Sequence, residues 1–246
     1  LRGEGAGGRG PVAPDDPRVE IQRRLALAGN YNRWIYEQFA PYAGRRVLDV
    51  GCALGNITQF FHDRDRVIGL DVAPEFAELF RQNFQHLPQY SFLLADFGDF
   101  DPESLRHERI DTITCFNVLE HIKDDVGALR TMHAILEPGG RLCLLVPAYR
   151  PLYGTMDAAD HHYRRYAARE VRRKLAEAGF AVERVWHMNV PGMLAWFLNG
   201  KVLRRSLASE GQYGAYNAVV PLIKAVERLI PPPIGLSVLA VGRKRA

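Results

Sequence analysis

The feature that most constrains the fold is the run Val47-Leu48-Asp49-Val50-Gly51-Cys52-Ala53-Leu54-Gly55-Asn56, where an apolar strand passes directly into a glycine-bearing turn. Gly51 and Gly55 let the backbone turn sharply and let a ligand approach the main chain. A helix is expected to follow over 57–62. The rest of the chain extends the theme. Short apolar runs at 46–50, 67–71, 90–95, 110–115, 141–146, 180–187 and 236–242 alternate with amphipathic stretches, the pattern of βα units around a buried sheet. Helices are expected over 74–86, with Pro74 at a tolerated first-turn position, and over 124–136, stopped by Pro138-Gly139-Gly140. The expected fold class is α/β: a doubly wound, seven-stranded, mostly parallel sheet with a helical insertion over 190–235, between the last two strands.

A chain of 246 residues, 47% hydrophobic and 24% charged, supports one elaborated domain, expected over 18–246. Residues 1–17, rich in Gly, Pro and Arg, have almost nothing to bury and are expected to be a disordered lead-in. The net charge of +4 comes from 32 basic and 28 acidic residues, too small and scattered an excess to mark a nucleic-acid footprint. No apolar run approaches the roughly 18 residues of a membrane span, and the N-terminus lacks a signal-peptide core, so a cytoplasmic location is expected. Cys52, Cys115 and Cys143 sit in or just after apolar runs, where thiols behave as small buried hydrophobes rather than as a disulfide or zinc framework.

The glycine turn excludes two nucleotide-binding loops. A dinucleotide fingerprint needs Gly where Ala53 and Asn56 stand, and a phosphate loop needs Gly-Lys-Ser/Thr. The Asp49 carboxylate would repel a pyrophosphate but suits a cationic ligand. Asp71 closes the second apolar run where nucleoside-binding sheets place a ribose-binding acid, and Asp96 follows the third. Either alone reads equally well as a cap or turn residue; three acids at successive strand ends favour a ligand site.

Asp49 to Gly55 resembles the acidic-x-Gly-x-Gly-x-Gly loop of class I S-adenosylmethionine-dependent methyltransferases, with Ala53 at the middle glycine. Phe116-Asn117-Val118-Leu119-Glu120-His121-Ile122 resembles the family's segment after the fourth strand, and Leu136-Glu137-Pro138-Gly139-Gly140-Arg141-Leu142 its turn into the fifth. Together the matches span about residues 31–147. The resemblance implies a Rossmann-like fold and S-adenosyl-L-methionine as cofactor. Gly51, Cys52, Ala53 and Gly55 would pack against the methionyl part and Asp49 would orient its amino group. Asp71 would hold the ribose, Asp96 the adenine amino group with Phe97 on the ring, and Val72 and Asn117 would complete the site.

The segment 153–166 follows the fifth strand, at the sheet edge where open α/β proteins place ligands. It resembles a methyltransferase subgroup with an Asp, a short spacer and then His-x-Arg-Arg-Tyr. Asp157, His161, His162 and Tyr166 are the catalytic candidates, because adjacent histidines can supply a base that titrates near working pH. Tyr31, Tyr153 and Arg165 are candidate acceptor-binding residues. The competing reading makes the segment a polar lid network. No metal is expected, since the adjacent Asp157, Asp160, His161 and His162 rarely converge on one ion and no second ligand pair is evident. His121 reads as a base or as a structural hydrogen-bonding residue, and the aromatics Tyr31, Trp34 and Tyr36 as a helix over the cofactor or as core.

The expected reaction is methyl transfer to a small or medium-sized molecule, as O-methylation in specialised metabolism or on a lipid-like acceptor. A non-methylating rearrangement or cyclisation on the same fold is the second class. A non-catalytic binding module is the third, opposed by the acids at 49, 71 and 96. In the insertion, Met193, Leu194, Phe197 and Leu198 precede Lys201, Arg204 and Arg205, and Val219, Ile223, Val226 and Ile230 recur at helical spacing. Such helices pack on their own domain, roof an acceptor pocket or touch a membrane surface.

Overall fold

A computed structural model describes residues 17–206 and 209–245; the expected lead-in falls outside them except for Pro17, which starts a helix. Seven strands form one sheet: β1 (Arg46–Val50), β2 (Arg66–Asp71), β3 (Tyr90–Leu94), β4 (Thr112–Phe116), β5 (Arg141–Pro147), β6 (Ala181–Met188) and β7 (Ser237–Arg243). Their order is β3-β2-β1-β4-β5-β7-β6. The first five run parallel, and β7 is antiparallel to both β5 and β6.

The inner strands β1, β2, β4, β5 and β7 are largely apolar because both of their faces are covered, whereas the edge strand β6 exposes Glu183 and Arg184; alternate residues serve opposite sides. Leu48, Ile68, Ile113 and Leu142 pack with α4 (Asp125–Ile135) and α6 (Ala168–Glu177). Val47 and Val67 face α3 (Pro74–Phe84) through Phe80 and Phe84. Cys143, Leu145 and Leu239 face α2 (Gly29–Phe39) through Trp34 and Phe39. All three cysteines are buried free thiols. The helix expected over 57–62 is a single 3-10 turn, Thr58–Phe61: the Thr58 hydroxyl turns back to Asp49 instead of leaving the segment free to extend.

The strand order places the site. β1 and β4 are sheet neighbours but not chain neighbours, and the crevice above such a crossover is where open α/β sheets bind ligands. Because Met188 at the end of β6 pairs with Ser237 at the start of β7, the insertion leaves and re-enters at the carboxyl edge, directly over that crevice. It holds α7 (Val190–Phe197), which runs on as a π-helical turn Leu198–Val202, and α8 (Glu210–Leu229). Glu227 of α8 accepts from the Asn189 and Val190 N–H groups at the start of α7, and Gln212 of α8 donates to Asn199 at its end. The two helices therefore lie antiparallel. The remaining helices are α1 (Pro17–Ala26), beside α2, and the short α5 (Thr155–Ala159). Among the described residues no helix is long and apolar enough to cross a membrane.

Candidate active site

A cavity of about 960 Å³ opens at the carboxyl edge, with the strand ends and their loops as its floor. Asp49 is buried on β1, its carboxylate accepting from Thr58 Oγ1 at 2.5 Å and Thr114 Oγ1 at 2.6 Å. Burial pushes its pKa up to about 6 against the opposing pull of those two hydroxyls. Asp71 organises the glycine turn by accepting from the Ala53, Val72 and Ala73 N–H groups. Gly51 sits at φ +72°, and a Cβ there would lie 2.2 Å from Val118 Cγ2, so the turn closes on the floor segment only with glycine. Asp96 caps the turn after β3 through Gly98 N–H and stays exposed.

The fold thus brings Asp49, Gly51, Cys52, Ala53, Asp71, Val72, Asp96, Phe97 and Asn117 to one cavity wall. Gly55 is not there. It lies at φ +83° against Phe84, and its glycine serves helix packing rather than ligand approach. The residue set fits S-adenosylmethionine: a buried carboxylate for a cationic amino group, an exposed strand-end acid for an amine, and a glycine turn that lines the cavity.

The opposite wall is built from 3 segments that are far apart in sequence. His161, His162 and Arg165 line it, Tyr31 reaches it from α2, and His121 and Asp160 join them. Tyr153, Asp157 and Tyr166 do not line the cavity, which corrects the expectation that they meet the acceptor. Tyr166 is fully buried, its hydroxyl bonded to Leu119 O and Asp125, because its backbone bridges to Pro147 and Ala148 at the end of β5 and holds the ring in the core. Tyr153 donates to His162 O.

Asp157 is fully buried, and one carboxylate oxygen meets His162 Nδ1 at 2.9 Å and Arg165 Nε at 2.6 Å. Its other oxygen accepts from Gly154 N–H and Trp196 Nε1, so it ties α5 to α7. Arg165 also donates to Ala148 O and lies 4.9 Å from the Trp196 ring centroid. Burial would raise the Asp157 pKa, but the His162 and Arg165 hydrogen bonds win and hold it below the usual range.

His162 is gripped on both nitrogens, by Asp157 and, at 3.2 Å, by Asp160. Burial pulls its pKa down, yet the two carboxylates outweigh it and raise the pKa to about 9. At neutral pH it is therefore a fixed cation rather than the base its sequence position suggested. His161 is exposed at φ +57°.

Beside this cation lies Glu120, fully buried, with neither carboxylate oxygen hydrogen-bonded in the structure. Burial raises its pKa to about 7 despite the attraction of His162. The His121 ring stands edge-on to His162 at 4.7 Å. Ligand atoms of Glu120, His121 and His162 fall within 4.8 Å of one another. The fold thus supplies the second ligand pair that sequence spacing did not reveal. With both ring nitrogens of His162 donating to carboxylates, no lone pair on it faces an ion, and the cluster is a charge network as it stands. Sequence reading noted the Leu-Glu-His segment but gave Glu120 no role, since nothing local shows that a carboxylate will be buried beside a histidine 42 residues away. It also missed α1, whose Ile21 and Leu25 complete the cavity together with Ala195 and Trp196 of α7, the helical insertion for which a pocket roof was one of the expected roles.

A methyltransferase domain family profile matches residues 20–185. The ubiquinone biosynthesis O-methyltransferase of Xanthomonas euvesicatoria is 30% identical over 196 residues, covering 73% of this chain and 77% of that protein. The protein of the same name from Pseudomonas aeruginosa is 31% identical over 115 residues, and the match covers 45% of this chain and 47% of that protein, about half of its length. The complex of the Haloferax volcanii Trm112 methyltransferase activator with a methyltransferase contains a similar fold, with TM-score 0.61 and 19% identity over 94% of this chain and 97% of that one. The cyclase SpnF is similar too, with TM-score 0.59 and 17% identity over 89% and 81%. At these identities the solved structures speak for the fold alone. With the family profile over two thirds of its length and the strand-end acids grouped beneath the crossover, the chain belongs to the class I S-adenosylmethionine-dependent methyltransferases.

Proposed function

We propose that this methyltransferase transfers a methyl group to a hydroxyl of a small or medium-sized, lipid-like acceptor. The observation that carries this reading is the single cavity, polar along the strand ends and apolar above them. Its roof includes Ile21, Leu25, Ile35, Trp196 and Tyr213. A volume near the upper end of the usual 300–1,000 Å³ range suits a nucleoside cofactor with a second molecule beside it. The names of the curated relatives describe O-methyltransferases of ubiquinone biosynthesis, and the apolar roof suits an acceptor with a hydrocarbon part.

S-adenosylmethionine, when bound, supplies an electrophilic methyl on a sulfonium. Asp49, Asp71 and Asp96 would hold its amino, ribose and adenine groups, and the glycine turn its methionyl chain. The chain's own task is then to align the acceptor oxygen, exclude water and take its proton. His162 is already protonated, so its cation steadies the negative charge that develops at the acceptor oxygen, and His121, on the same wall, accepts the proton. Asp157 and Arg165 position His162.

Release of S-adenosylhomocysteine in the presence of hydroxylated aromatic acceptors, with and without a prenyl tail, tests the reading. His121→Gln is expected to lower kcat by roughly 10²- to 10⁴-fold, with His161→Gln near wild type. Equal activity in His121→Gln removes the base assignment. A cyclisation on the same fold, the activity for which the cyclase SpnF is named, is the second reading. Conversion of acceptor without demethylated cofactor would establish it.

A further inference from the structure

The outer faces of α7 and α8 carry more apolar surface than their own domain needs. On α7 and its π-helical turn, Leu194, Phe197, Leu198 and Val202 recur at helical spacing, and all are exposed. On α8, Leu222, Val226, Leu229 and Ile230 do the same, with Leu222 70% and Leu229 82% exposed. Among the described residues of these helices, Tyr216, Val220 and Ile223 of α8 turn to the core, as expected of an amphipathic helix. An amphipathic helix with an outward apolar stripe calls for a surface to meet it.

The charges beside the stripes say which surface. Lys201 lies in the π-helical turn, Arg204 just beyond it, and Arg228 in the last turn of α8; all are exposed, and none has a carboxylate partner among the described residues. Arg228 joins Arg33 and Lys224 in lining a second cavity of about 480 Å³ between α2 and α8, floored by Val220 and Pro221 and edged by Leu229. Of these three, Lys224 is paired with Glu37, while Arg33 lies over the Phe60 ring. Cations next to exposed aliphatics suit an anionic headgroup at the edge of a hydrocarbon layer. A second copy of this chain, meeting the same patch about a two-fold axis, would oppose like charges.

We propose that the outer face of the α7–α8 pair docks on a membrane surface bearing anionic lipids. The inner sides of the same helices wall the methyl-transfer cavity through Ala195, Trp196, Tyr213 and Tyr216. Docking therefore sets that cavity at the bilayer, where a lipid-like acceptor resides. The docking itself does not depend on the acceptor reading, and the experiment separates them.

Co-sedimentation of the full chain with vesicles of phosphatidylcholine, alone or mixed with phosphatidylglycerol, measures docking. Calorimetry with S-adenosylhomocysteine and far-ultraviolet circular dichroism report cofactor binding and folding on the same samples. Binding to the anionic vesicles at low salt is expected, weakening as salt shortens the Debye length. At about 1 kcal/mol per basic residue near such a surface, loss of three attractions alone is about 100-fold, so the triple reversal Lys201→Glu, Arg204→Glu and Arg228→Glu lowers partitioning by at least about 100-fold. The variant Phe197→Ser, Leu198→Ser, Leu222→Ser and Leu229→Ser loses it, with cofactor affinity unchanged in both. A folded, cofactor-binding wild type that ignores anionic vesicles at low salt overturns the proposal. So does a stable dimer in sedimentation equilibrium that the serine variant dissolves, since the stripes would then be covered by a second copy.

Discussion

Asp49 and His162 show how one chain uses burial in opposite directions. Asp49 lies on a central strand with only two hydroxyls for partners, so burial prevails and its pKa rises to about 6. A cationic amino group binds its ionised form, and affinity for S-adenosylhomocysteine is expected to fall below about pH 6, by up to tenfold per unit. Calorimetry across that range should show the fall in the wild type and a flat profile in Asp49→Asn. His162 is equally enclosed, but two carboxylates reverse the sign, raising its pKa to about 9. A histidine raised above its unfolded value contributes stability that is complete below about pH 6.5 and lost as pH rises through about 9, up to roughly 3 kcal/mol. Urea denaturation of the wild type should weaken over that interval, and His162→Gln should be insensitive to it. The sequence singled out both, one from its place before the glycines and the other from its histidine pair, and both line the cavity. Their charge states were not, because these depend on Thr58, Thr114, Asp157 and Asp160 arriving around them.

Elements meet at this site through few, fully buried polar contacts. α5 has only five residues and little area to bury, so its hold on α7 runs through the Asp157 carboxylate, which meets Trp196, Arg165 and His162 together. Asp157→Ala strands the Arg165 guanidinium, itself 1% exposed, and is expected to cost about 3–5 kcal/mol. The urea midpoint should drop while the slope stays unchanged. A fall of under about 1 kcal/mol would mean that water reaches Arg165 and that the hub is not closed. The strands, by contrast, were readable to within two residues at their boundaries. Most are apolar runs ending in Gly, Asp or a polar turn, and that pattern is local. The segment 153–166 has no such period. Its short helix and its lid-like polar network depend on partners from α7 and the floor segment.

Across the whole molecule the cavity is closed by parts from both ends of the chain: α1 and α2 from the N-terminal side, α7 and α8 from the insertion. A ligand that holds them together stabilises the folded state by mass action. S-adenosylhomocysteine at 100 times its Kd is expected to add about 2.7 kcal/mol. For a chain of this size that corresponds to a Tm rise of roughly 5–10 °C in scanning calorimetry. An unchanged Tm at that ligand concentration would mean that the folded chain does not bind S-adenosylhomocysteine.

The sequence by itself determined the class of sheet, the order of its strands along the chain, the glycine turn and the acids that end β1, β2 and β3. Each of these is a short-range pattern of burial period, turn chemistry and charge. Only the tertiary structure decided that β7 slips between β5 and β6, carrying the insertion back over the crevice, and that Glu120 meets His162 across 42 residues. It also decided that Tyr166 and Asp157 point into the protein instead of the cavity, and that the α7 and α8 stripes point out of it. A helical period marks an apolar face, but the direction of that face depends on what packs beside it. Here the inner side of α7 faces a cavity, and that of α8 is shared between the cavity and the core.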